Sequence, residues 1–198
     1  MPGNSIVSVA TLERACASAG AVLAGVRQEQ LDGTTPCGEW RVRDLVDHIA
    51  GAARFFGDLA EWGASPENQD GPVYSGGDFG ASFREQAGRL VAGFSAPGAM
   101  ERTMALPTGP APGGQVIEVV TGEMFVHGWD LARATGHAEP ADQAVAAALL
   151  ASHWPALCEQ VRPGPPPVFA PAVTVPATAA PADRLVALLG RDPHWSDG

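Results

Sequence analysis

From Val42 to Trp62 the chain runs without proline, and its apolar residues Val42, Leu45, Val46, Ile49, Ala53, Phe56 and Ala60 fall on one stripe, with Asp44, Asp47, Arg54 and Asp58 opposite. Apolar residues recurring at three-to-four spacing make one face of a helix, and that face must be laid against other elements to leave water. The segment is therefore read as a surface helix of a helical bundle.

The same spacing predicts helices over about Val9 to Gln30, Phe79 to Phe94, Gln115 to Ala134 and Asp142 to Gln160. A short last helix is expected over Asp183 to Leu189, closed by Gly190, and Gly136 suits the C-terminal cap of the fourth helix. Between these lie breakers: LDGTTPCG at Leu31 to Gly38, a Gly-, Asp-, Asn- and Pro-rich loop from Ser65 to Gly80, and Ala96 to Gly114 with its short apolar piece MALP. Pro163 to Pro181 holds too many prolines for anything but extended or irregular chain, with VFAPAVTV as a candidate short edge strand. The expected class is all-α, with residues 1–160 forming the bundle and residues 161–198 a Pro-rich extension with a short helix packed on the same domain.

At 198 residues such a chain buries a core without disulfides or metal staples, so a metal would serve function rather than folding. Twelve Lys plus Arg against 22 Asp plus Glu leave a net charge of -10, which argues against nucleic acid and against anionic membrane surfaces as partners. Cys16, Cys37 and Cys158 are odd in number and in no CxxC arrangement, which suits a reduced, cytoplasmic setting. No signal-peptide pattern opens the chain, and no apolar run reaches the roughly 18 residues of a membrane span.

Chemistry concentrates in GEMFVHGWD, Gly122 to Asp130. Each helical residue advances about 100°, so Glu123 and His127 sit one turn apart on one face, beside the apolar stripe Ile117, Val120, Met124 and Leu131. Two such side chains can share a metal ion, but a catalytic zinc site typically takes three protein ligands and leaves a position open. Of the other histidines, only His48 stands mid-helix in an apolar sector, among Leu45, Ala52, Phe55 and Leu59. Spacing alone leaves two readings open, a solvated i, i+4 contact with a separate core histidine, or a metal site.

Two longer motifs carry a resemblance. TPCGEWRVRDLVDHIAG, Thr35 to Gly51, resembles the N-terminal motif of the DinB-like, mycothiol-dependent maleylpyruvate isomerase family, in which a turn and a Trp precede a helix with a metal-ligand His, here His48. GEMFVHGWDLARATG, Gly122 to Gly136, resembles the motif whose Glu and His complete the triad, here Glu123 and His127. VFAPAV followed by DRLVALLGRDPHW resembles the tail of short actinobacterial metal-binding members. The resemblance implies an antiparallel four-helix bundle with a divalent ion, usually zinc, near one end, and mycothiol as co-substrate. The full-length isomerases carry a C-terminal domain that contributes an arginine, whereas only residues 161–198 follow the fifth helix here, so substrate and reaction stay open.

Around that triad, Asp130 is placed to orient a ligand imidazole, against the alternative of a surface carboxylate. Trp40, Trp62 and Trp129 are read as pocket walls or as packing, and Arg54, Arg84 and Arg133 as candidate anchors for an anionic substrate, none distinguished. Cys37 and the remaining histidines His137, His153 and His194 are read as non-catalytic. The functional reading is a metal- and thiol-dependent isomerase or transferase acting on a small electrophile, as monomer or homodimer; the alternative is a metal- or ligand-binding accessory or sensor protein without turnover. A His2Glu set suits zinc, nickel or iron.

Overall fold

The computed structural model describes residues 6–38, 40–64, 78–137, 141–162 and 169–196. Four long helices carry the fold: α1 (Val9–Ala24), α2 (Val42–Trp62), α3 (Phe79–Ser95) and α4 (Gly113–Thr135). Helix α1 packs on α3 and α4, and α2 packs on the same two, so α1 and α2 stand diagonally across an antiparallel four-helix bundle. Leu12, Leu23, Leu45, Ile49, Leu59, Leu90, Ile117, Met124 and Leu131 are wholly buried between them. Each contributes about 1.5–3 kcal/mol relative to staying in water.

Local chemistry sets the helix ends. Ser8 accepts the Thr11 backbone N–H at the start of α1, Asp44 accepts that of Arg41 at the start of α2, and Asp78 that of Ala81 at the start of α3. Gly63 (φ 79°) and Gly136 (φ 68°) close α2 and α4 in the left-handed conformation that a β-carbon penalises.

The helices over α2, α3 and α4 match the expected ones within two residues at each end. The first helix is shorter than expected, because Gly25 ends it at Ala24 and a separate 3-10 turn follows at Gln28–Gln30. The single helix expected over Asp142 to Gln160 is two, α5 (Gln143–Ala151) and α6 (Trp154–Val161). Pro155 cannot donate to the ladder, and the break is held by Glu118, which accepts the His153 N–H at 3.1 Å, and by Ser152 Oγ, which accepts that of Trp154 at 3.1 Å. The last helix, α7 (Pro181–Leu188), packs on α5, and Gly190 follows it at φ 83°.

Strand appears elsewhere than expected. The first three residues of MALP belong to β1 (Thr103–Leu106), which pairs antiparallel with β2 (Gly109–Pro112) in a hairpin beside α2 and α4. Within the described part of VFAPAVTV there is no strand; its regular tie is one backbone bond from Val173 N–H to Ala187 O at 2.8 Å. Most of the loop read over Ser65 to Gly80, residues 65–77, lies outside the described residues. Among the described residues, no helix is long and apolar enough to cross a membrane.

Candidate metal centre

Helix α2 delivers His48 and helix α4 delivers Glu123 and His127 to one point of contact between them. Glu123 Oε2 lies 3.0 Å from His48 Nε2 and 3.4 Å from His127 Nε2. One ligand atom from each of the three falls within 4.8 Å of the others. Ligands about 2.0–2.2 Å from a tetrahedral ion stand roughly 3.4 Å apart, so this donor set fits a divalent ion with little movement. The two rings meet edge to face, with centroids 4.6 Å apart. Trp40, just ahead of α2, stacks on His127 at 5.5 Å and tilts against His48 at 4.7 Å, limiting how far either imidazole can turn.

Behind these three side chains lies a buried ionic chain. Asp130, fully buried, lies 3.1 Å from His127 Nδ1 as an acceptor for its proton, so that Nε2 is the nitrogen turned toward Glu123. The other side of Asp130 is held by Arg191, whose Nη2 lies 3.0 Å from Oδ2 and Nε 3.3 Å from Oδ1. Arg191 also donates to Leu189 O at 3.1 Å and reaches Cys37 Sγ at 3.2 Å. Burial works against the Arg191 cation, and the Asp130 carboxylate overrides it and raises the guanidinium pKa further. Burial alone would push the Glu123 carboxyl up, but hydrogen bonds with His127 and His48 hold it well below the carboxylate range. Burial alone would push the His127 imidazole down, and its bonds to Asp130, Cys37 and Glu123 hold it well above the usual value instead.

The triad opens into a cleft of about 880 Å³ between α2, α4, α6 and the β1–β2 hairpin, where His48 and Glu123 form part of a wall that is otherwise mostly apolar. Cys158 in that wall is no thiolate: burial and nearby Glu123 push its thiol up to about 12. A second cleft of about 730 Å³ lies between α1, α4 and α7.

Sequence reasoning brings together His48, Glu123, His127 and Asp130, and the structure places all four in contact. Trp40 walls the centre, but Trp62 is 58% exposed beneath Arg89, and Trp129 is packed under Arg133 in the second cleft. Arg54, Arg84 and Arg133 line no part of the cleft at the triad, and Arg133 instead donates to Pro193 O at 2.8 Å. His137, His153 and His194 stay out of the ligand group. Cys37, read as non-catalytic from the sequence, meets Arg191 and His127 in space. Arg191 itself is missed by sequence reasoning. Its only local signal is a cation directly after the Gly190 cap, and its partner Asp130 is 61 residues away.

Residues 12–132 match the family model described as the mycothiol maleylpyruvate isomerase N-terminal domain. Two uncharacterized proteins from two strains of Mycobacterium tuberculosis are each 39% identical over 181 residues, covering 90% of this chain and 94% of theirs. Among solved structures, the mycothiol-dependent maleylpyruvate isomerase and a histidine-to-alanine mutant of it align at TM-scores of 0.53 and 0.56. Both are 13% identical, over 78% of this chain and 68% of theirs, a likeness that concerns the fold alone.

Proposed function

The chain belongs to the mycothiol maleylpyruvate isomerase N-terminal domain family, and from that premise we propose that it binds a divalent metal ion through His48, Glu123 and His127 and performs thiol-dependent isomerisation or transfer on a small electrophile. Zinc is the first choice of ion, with nickel and iron suited to the same donors. Mycothiol is the proposed thiol, and the cytoplasm the proposed setting. Residues 1–160 and 161–198 are proposed to work as one unit.

The observation that carries this reading is the convergence of two imidazole Nε2 atoms and one carboxylate oxygen at the wall of an apolar cleft, with Asp130 fixing the tautomer of His127. A divalent ion there, with a position left open, would bring the pKa of a bound thiol or water near neutrality. Sulfur attack on an activated carbon is the step that isomerisation, conjugation and thiol transfer share. Around it, Glu123 offers an ionised oxygen, Asp130 keeps the proton of His127 on Nδ1, Trp40 limits ring rotation, and the apolar wall keeps water from competing with the thiol.

Purified protein is expected to carry one divalent ion per chain by elemental analysis, and His127→Ala to lose it. With mycothiol and a panel of neutral and charged electrophiles, maleylpyruvate among them, product should form only in the metal-loaded protein. Absence of a stoichiometric ion, or its full retention in His127→Ala, would overturn the reading.

A further inference from the structure

We infer that the substrate of this cleft is an uncharged, largely hydrophobic electrophile, one whose body beyond the reacting group carries no carboxylate or phosphate; the inference rests on the proposed function of the same site. The cleft wall is built from Phe55, Phe56, Val119, Leu157, Val161 and Phe169, with Thr108, Gln115 and Gln160 as its neutral hydrogen-bonding side chains. Its ionisable members are His48 and Glu123, which the metal reading already uses, and the thiol of Cys158, which burial keeps protonated. Among the described residues no arginine lines it.

The chain draws its cations from one residue type. It contains no lysine, so its 12 basic residues are all arginine, and none of the residues outside the described segments is one of them. Arg162, adjacent in sequence to Val161 of the wall, is bound to Glu159 and to the carbonyls of Ala170 and Leu188. Arg191 is buried against Asp130. An anionic group on the body of the substrate, away from the proposed ion, would lose its hydration without meeting a protein cation, in a molecule of net charge -10. The volume of about 880 Å³ is that of a site for a drug-sized molecule, with the apolar lining and few polar groups typical of such sites.

The test needs neither thiol nor turnover. Zinc-loaded protein is titrated by calorimetry with benzylideneacetone carrying a para methyl group and with its counterpart carrying a para carboxylate. The methyl compound is expected to bind at least tenfold more tightly. Leu157→Arg places a cation in the wall at a position 37% exposed, where it need not enter the core; it should narrow or reverse that ratio while circular dichroism stays unchanged. Equal or tighter binding of the carboxylate by the wild type, or no binding of either compound, overturns the inference. If no thiol-dependent product is ever found but the tenfold preference holds, the proposed reaction falls and the inference stands. If product forms and the carboxylate is the better ligand, the reverse is true.

Discussion

His127 stands where three demands meet, since it is proposed to bind an ion through Nε2, donates to Asp130 through Nδ1 and faces Glu123. Without metal the imidazolium form is favoured: burial opposes it, but Asp130, Cys37 and Glu123 hold its pKa well above the ordinary 6.5. A group whose pKa is raised on folding stabilises fully below its unfolded value and loses that contribution as pH rises through the folded value. Glu123 has the opposite sign. Its contribution is present above the ordinary 4.5 and is lost as pH falls through its lowered folded value. These are largely one ion pair seen from both ends. Metal-free protein is therefore expected to lose stability from pH 6 to pH 9 relative to His127→Ala, read as urea midpoints in the presence of a chelator. Added metal should suppress the decline, because the ion replaces the proton; a wild-type midpoint that rises relative to the variant would contradict the assignment. At this scale helical geometry made the neighbouring of Glu123 and His127 legible from their spacing, whereas His48 was joined to them through the resemblance. Arg191 was not, because nothing local to Gly190 announces a partner on another helix.

Elements were legible where one signal dominated. The apolar stripe defines α2, and Gly136 defines the end of α4. They were missed where signals competed: the alanine-rich run hid the break that Pro155 imposes, and Pro110 and Pro112 in β2 argued against a strand that forms because β2 pairs on one side only. That break has a consequence on α4. Gly122, next to the proposed ligand Glu123, faces the Trp154 ring at the start of α6, and a β-carbon there would lie 2.3 Å from it. In an exposed helix interior Gly→Ala would stabilise by roughly 0.5–1 kcal/mol. Here Gly122→Ala is expected to destabilise by about 1–3 kcal/mol through overpacking, because α6 must shift to admit the methyl group. A urea cycle with Trp154→Ala checks this: adding Gly122→Ala to that background should cost little or become favourable. An equal cost in both backgrounds would show that the contact is not the cause.

In the whole molecule, the all-α bundle class followed from the amphipathy of the helices and its four-helix form from the resemblance, but the diagonal placement of α1 and α2 depends on contacts far apart in sequence, which no local pattern encodes. The same long-range joining gives the candidate centre its mechanical role. Its proposed ligands join α2 to α4, and Asp130 with Arg191 ties α4 to the chain just beyond α7, so one ion would brace segments from the first to the last part of the bundle. Binding to the folded state alone adds about 2.7 kcal/mol when free metal is a hundredfold above its Kd. For a domain of this size each kcal/mol moves Tm by about 2–4 °C, so saturating metal should raise Tm by roughly 5–10 °C over chelator-treated protein. Arg191→Met removes no ligand, yet it releases Asp130 and with it the orientation of His127, and loss of such a partner weakens metal binding about 10–100-fold. At one fixed metal concentration, a hundredfold above the wild-type Kd, about half or more of the Tm increment should then disappear in Arg191→Met, and raising the metal a hundredfold should restore it. A lower Tm baseline is also expected, since Asp130 is left buried without its cation. The decisive quantity is therefore the metal-induced increment, and an increment equal to wild type at the lower metal concentration would show that Arg191 braces the fold without positioning the ligand.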